Sequence, residues 1–181
     1  MTAEDIFDSN IIEVDGVLFE TLVPNRMLII PNRDNLKKSA QFGIRITNNS
    51  SYPYRFIFFY LRPEFKGKDG QEIKLGYARN VTKTPEDSDF ILLQHRDTTT
   101  FFLKAEFYWY NYQLGLRGYD CSGGIWHFHN LKPGMYSVRF TYENHSLTGK
   151  IDGGRTPWKF LESLWTGVVS TPYEEFQIAC E

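Results

Sequence analysis

The chain is poor in the residues from which most reactive centres are built: 181 residues hold two cysteines, four histidines and three methionines. The sequence does not say whether Cys121 and Cys180 pair with each other, the antibody-type inter-sheet bridge is absent, and neither lies in a recognisable thiolate motif. In a reducing compartment they read as two free thiols. Charge of one sign is not in excess either, with 20 Lys and Arg against 22 Asp and Glu, a net charge of −2 and a pI of about 6.1. A nucleic-acid partner would call for a basic stripe, and none is visible. The nearest cluster, Arg33 with Lys37 and Lys38, reads as a solvated loop face. No apolar stretch approaches the ~18 residues of a membrane span. Met1 to Asn10 carries Glu4, Asp5 and Asp8 and lacks a basic start and an apolar run. A cytoplasmic protein without a membrane partner is expected. The sequons at Asn48, Asn49, Asn80 and Asn144 would matter only in a secretory pathway.

Catalytic signatures are equally scarce. No Gly-x-Ser-x-Gly elbow occurs, and Ser122-Gly123-Gly124 is not followed by the Gly-Lys-Ser/Thr of a phosphate-cradling loop. Asp87-Ser88-Asp89, after Glu86, has carboxylates at loop spacing but not the glycine and closing glutamate of a calcium loop, so it reads as a solvated acidic loop. His127 and His129 flank Phe128 and project to one face of a strand. Cys121, His95 or His145 would have to complete a metal site, and the spacing of structural zinc ligands is missing. We expect no catalytic residue, no metal, no cofactor and no enzyme.

Aromatic residues are what the chain has in abundance: 15 Phe, 11 Tyr and 4 Trp make up 17% of it. Together with dense turn signals they favour sheet. Asp15-Gly16 suits a two-residue hairpin turn between Ile11–Val14 and Val17–Phe19. Gln41 to Thr47 alternates, with Phe42, Ile44 and Ile46 on one side. Tyr54 to Leu61 is apolar on both faces, which makes it a central strand or one whose second face is covered, and Pro63 is expected to end it. Phe90–Leu93 and Thr98–Ala105 are further strands. Trp126 and Phe128 lead to a turn at Pro133-Gly134 and a strand whose even positions, Tyr136, Val138, Phe140 and Tyr142, share one face. A tyrosine at that place is where Ig-like sandwiches keep a tyrosine corner, its hydroxyl bonded to upstream backbone. Thr156, Pro157, Trp158, Leu161 and Trp165 carry the signals of one short helix. Side-chain parity shifts across Thr171-Pro172, predicting a bulge or kink.

These elements predict a single all-β domain over residues 1–181, an Ig-like antiparallel β-sandwich with an aromatic insertion between Phe107 and Ser122. The core is expected from Phe42, Ile44, Ile46, Phe58, Phe101, Leu103, Trp126, Tyr136, Val138, Phe140 and Phe176. The insertion begins with the most suggestive segment, Phe107, Tyr108, Trp109, Tyr110, Asn111 and Tyr112. Extended, it puts Phe107 and Trp109 on one face and the tyrosines on the other. It reads either as an interface anchor, since Tyr and Trp bury large area at low entropy, or as a cap over a second small core.

Several blocks together resemble a group of uncharacterised bacterial Ig-like β-sandwich proteins: Ile46 to Ser50, Gly76 to Thr82, Gly123 to Phe128, Leu131 to Tyr136 with Phe140 to Asn144, and Leu164 to Pro172. More distantly the layout is similar to bacterial intracellular proteinase-inhibitor domains. The resemblance implies the sandwich fold and assigns no catalytic residue. The expected function is a non-enzymatic binding module with a protein or peptide partner at Phe107, Tyr108, Trp109, Tyr110 and Tyr112. A protease inhibitor and a carbohydrate-binding module are the alternatives. The oligomeric state is left open.

Overall fold

A computed structural model describes residues 10–31, 36–59, 61–79, 82–151 and 159–180. Its strands are β1 (Ile11–Val14), β2 (Val17–Leu22), β3 (Met27–Ile29), β4 (Lys38–Asn48), β5 (Tyr54–Ile57), β6 (Pro63–Gly67), β7 (Glu72–Ile73), β8 (Gly76–Arg79) and β9 (Phe90–Leu93). They continue with β10 (Thr98–Tyr110), β11 (Gln113–Tyr119), β12 (Gly124–Leu131), β13 (Gly134–Asn144), β14 (Gly149–Ile151), β15 (Lys159–Leu161), β16 (Gly167–Ser170) and β17 (Glu174–Ala179). One sheet runs β1-β2-β4-β10-β11-β12-β8, antiparallel throughout. A second runs β3-β17-β13-β6-β7, with β16 also on β13; only β3 joins in parallel. The fold is an all-β sandwich.

The alternation of β4 and β13 drives the two sheets together. Phe42, Ile44 and Ile46 from the first meet Phe65, Val138, Phe140 and Phe176 from the second in one buried cluster. Phe42 sits edge-on to Phe65 and Phe176, with ring centres 5.2 Å apart in each pair, and Phe65 stacks on Phe128 at 4.3 Å. At the other end Phe19, Phe56, Tyr142 and Trp165 form a second aromatic knot. Offset and edge-to-face pairs of this kind add to what burial alone supplies. Every predicted core residue is buried except Phe101, which is partly buried and stacked on Phe58.

Three local expectations hold in detail. Asp15 and Gly16 have φ of 52° and 76°, as a type I′ turn requires. The Tyr136 hydroxyl donates to the Lys132 carbonyl at 2.9 Å and accepts from the Lys132 amide at 3.0 Å, closing the tyrosine corner. Across Thr171-Pro172 the pairing with β13 slips by one residue, from Thr141↔Ser170 to Val138↔Glu174. Thr171 Oγ1 replaces the missing ladder partner by accepting from the Phe140 amide at 2.9 Å.

Others are corrected. Pro63 opens β6 instead of closing the preceding strand, because the first position of a strand needs no donor there; β5 stops at Ile57. Its second face is covered by β14 and β15, whose Ile151 and Leu161 pack with Phe90, Leu164 and Ile57. The helix is not found among the described residues: Lys159–Leu161 is a strand paired with Gly149–Ile151, and that ladder outweighs a helical spacing of apolar residues. Thr156, Pro157 and Trp158 lie outside the described residues, as do Arg33, Asn80 and the acidic Glu4, Asp5 and Asp8. The stretch from Phe107 to Ser122 is no insertion. It holds the end of β10 and all of β11, which is zipped between β10 and β12 in the large sheet. No helix among the described residues is long and apolar enough to cross a membrane.

Candidate functional site

The aromatic segment Phe107–Tyr112 is divided by the pleat of β10. Odd positions face the second sheet. Phe107 is 0% exposed and belongs to the main core, which removes it from the expected binding set. Trp109 packs against the same core, and its indole N–H donates to the Pro31 carbonyl at 2.6 Å. Even positions face outward. Tyr108 is half-buried on the outer face, while Tyr110 is 65% exposed and Tyr112 88%.

Tyr110 and Gln113 face each other, so Asn111 and Tyr112 form a two-residue turn. Their φ angles are 48° and 61°. Asparagine tolerates that left-handed backbone; a tyrosine there is strained by roughly 1–2 kcal/mol relative to ordinary backbone. Glycine is the residue such a turn favours, and the Tyr112 side chain has no packing role to offset its cost. The tip thus presents two tyrosines in water at the expense of local stability. Strain of this kind gathers at functional positions.

Below the tip the outer face of the sheet carries residues that sequence reasoning did not join to the aromatic segment. The register Glu106↔Arg117↔His127↔Gly76 sets a polar row across four strands. Arg117 bonds Glu106 through Nε at 2.8 Å and Nη2 at 2.6 Å, and Lys37 adds a contact at 3.1 Å. Burial works against the Glu106 carboxylate, but the hydrogen bonds from Arg117 and Lys37 hold its pKa below the usual carboxylate value. Tyr108 lies across Gly115 and His127 across Gly76. A Cβ at Gly115 would stand 2.5 Å from the Tyr108 ring, and one at Gly76 would stand 2.0 Å from His127 Nε2. The two glycines therefore provide flat seats on which those rings lie. Arg117 stands 5.0 Å from the centre of the Tyr108 ring, and burial raises the Tyr108 pKa.

The other candidates resolve into structural roles. Asp89 accepts from the Glu86 amide and pairs with Lys83 at 3.2 Å, while Asp87 pairs with Lys159 at 2.7 Å, so the carboxylates of the acidic loop are engaged. His95 bonds the Ser50 carbonyl and His145 pairs with Glu143, both on other segments. Among the described residues no three His, Cys, Asp or Glu side chains gather into a metal-holding group. Cys121 and Cys180 are free; burial, then the Asp89 and Asp120 charges, pushes the Cys121 thiol up, away from a reactive thiolate. A groove of about 630 Å³ runs between Leu61, Arg62 and Thr141–His145. Its Glu64 is committed to Arg139 at 2.7 Å and to the Thr141 hydroxyl.

The residues that stand free to meet another molecule at this site are therefore Tyr110 and Tyr112, with Tyr108 beside them. No family model, curated protein or solved structure matches this chain.

Proposed function

We propose that the protein is a non-enzymatic interaction module whose β10–β11 hairpin tip grips a protein or peptide partner. The observation that carries this reading is the pair Tyr110 and Tyr112, both exposed, the first ending β10 and the second in the strained turn that follows. Exposed tyrosines of this kind are the residues that anchor interfaces, because they bury large area while freezing few torsions. The rigid base helps: Phe107 and Trp109 clamp the same strand to the core, so the tip is held in place before a partner arrives. The carboxylates and the Cys121 thiol described above serve pairing and packing, which supports a role without chemistry. Free thiols at Cys121 and Cys180 suit a reducing compartment, and a cytoplasmic site of action belongs to the same reading.

The test compares the native chain with Tyr110→Ser/Tyr112→Ser and with Tyr52→Ser, a control tyrosine 70% exposed elsewhere. All three should melt at nearly the same temperature. Partners captured by the native chain and the control should be lost by the double variant, and each should then bind the purified chain directly. An unchanged set of captured proteins overturns the reading. Slowed turnover in a protease panel, or a glycan-array signal, lost in the double variant would replace it by inhibitor or sugar binding at the same tip.

A further inference from the structure

His127 and His129 project from the outward face of β12 with ring centres 4.5 Å apart. Metal–nitrogen bonds of about 2.0–2.1 Å, with a ring centre about 1.1 Å behind each nitrogen, put two imidazoles on one ion roughly 4.5–5 Å apart. The ring-centre spacing of the pair falls at the short end of that range. We propose that His127 and His129 form a two-imidazole site for a divalent first-row transition metal, copper(II) most tightly, with its remaining positions filled by water or by a donor from a bound molecule.

Three further features converge on the pair. First, the β11–β12 register slips between Leu114↔Leu131 and Leu116↔Phe128, so His129 and Asn130 together oppose Gly115. Asn130 takes the left-handed backbone at φ 56°. Such a bulge re-aims a side chain, and here it brings His129 up to Tyr108, which lies directly across from Gly115. Second, the Tyr108 hydroxyl stands 3.4 Å from His129 Nδ1. A partner on Nδ1 orients the ring and leaves Nε2 as the ligand, the role outer partners play at metal-binding histidines. Third, His127 Nε2 is seated over Gly76, where a Cβ would stand 2.0 Å from it, so Nδ1 is the nitrogen that His127 offers to an ion.

The register places Arg117 across from His127, with Glu106 and Lys37 beyond it. Glu106 holds both cations, which leaves one positive charge beside the site. That charge weakens the attraction of any dication and selects for metals whose nitrogen bonds are strong, and copper(II) heads that order. The site takes two nitrogens from this chain and no carboxylate, unlike a calcium or magnesium site.

The experiment is a copper(II) titration of the untagged full chain, followed by calorimetry and electron paramagnetic resonance. One ion per chain is expected, with a signal split by two nitrogens. His129→Gln should weaken binding at least tenfold while leaving the melting temperature unchanged, because the side chain is exposed. His127→Gln should do the same, although loss of the ring over Gly76 can also disturb the strand. His95→Gln/His145→Gln should bind as the native chain does. Nickel(II) and zinc(II) should bind more weakly than copper(II). The absence of saturable binding at submillimolar copper overturns the proposal, as does a His129→Gln chain that binds as tightly as the native one.

Discussion

Two strand-to-strand connections of this protein carry a tyrosine at their turn, and they use it in opposite ways. In the β12–β13 connection, which crosses from the first sheet to the second, Tyr136 points inward, stacks on Phe176 and ties its hydroxyl to both backbone groups of Lys132. In the β10–β11 hairpin Tyr112 occupies the turn itself, 88% exposed in left-handed backbone. The first tyrosine stabilises a loop that would otherwise be loose. The second destabilises a turn that a glycine would close more comfortably. The difference shows that a tyrosine beside a turn has no fixed meaning. Its meaning depends on whether the pleat aims it at the facing sheet.

The comparison breaks or sharpens through four measurements. The largest effect belongs to the strands beside these two turns. Phe140→Ala and Phe107→Ala should each cost about 3–5 kcal/mol in chemical denaturation, since both rings are fully buried in one cluster. A Phe107→Ala protein that unfolds where the native one does would detach the β10–β11 hairpin from the core. Next comes Tyr142, one more tyrosine of β13, whose pKa burial pushes up to about 12. A neutral phenol favoured by folding contributes stability that is complete below the unfolded pKa near 10 and disappears as pH rises toward 12. Stability should fall by up to roughly 2–3 kcal/mol across that window, and Tyr142→Phe should flatten the fall. Third, Tyr136→Phe should cost about 1–2 kcal/mol through its two lost hydrogen bonds, while Tyr112→Phe should leave stability within about 0.5 kcal/mol. The smallest effect has the opposite sign. Tyr112→Gly should stabilise by up to about 1 kcal/mol, because relief of left-handed strain exceeds the entropy a glycine adds to the unfolded chain. A loss of stability there would mean that the tip tyrosine has a structural role after all.

Much of the architecture was legible beforehand because it is written at short range. Strict alternation at Phe42, Ile44 and Ile46, the Asp15-Gly16 turn, the Tyr136 corner and the parity shift at Thr171-Pro172 each depend on neighbours a few residues away. β11 escaped because Gly115 and Gly118 make Gln113–Tyr119 look like loop. Those glycines are strand positions overlaid by Tyr108 and Trp126 from the flanking strands, where a side chain would collide. β15 escaped for a related reason: its partner, β14, is a three-residue strand with no periodicity to read. At the candidate site the aromatic cluster was visible in the sequence, and so was the same-face pair His127 and His129. Their meeting with Tyr108 was not, because it rests on a one-residue slip between β11 and β12.

The sequence alone determined that this chain would alternate into many short strands around an aromatic core, since a two-residue period is a property of the chain itself. Only the tertiary structure decided which aromatics would be spent on that core. Phe107 and Trp109 lie under the second sheet while Tyr110 and Tyr112 stand in water, because the stacking of two sheets buries one face of β10 and leaves its turn outside.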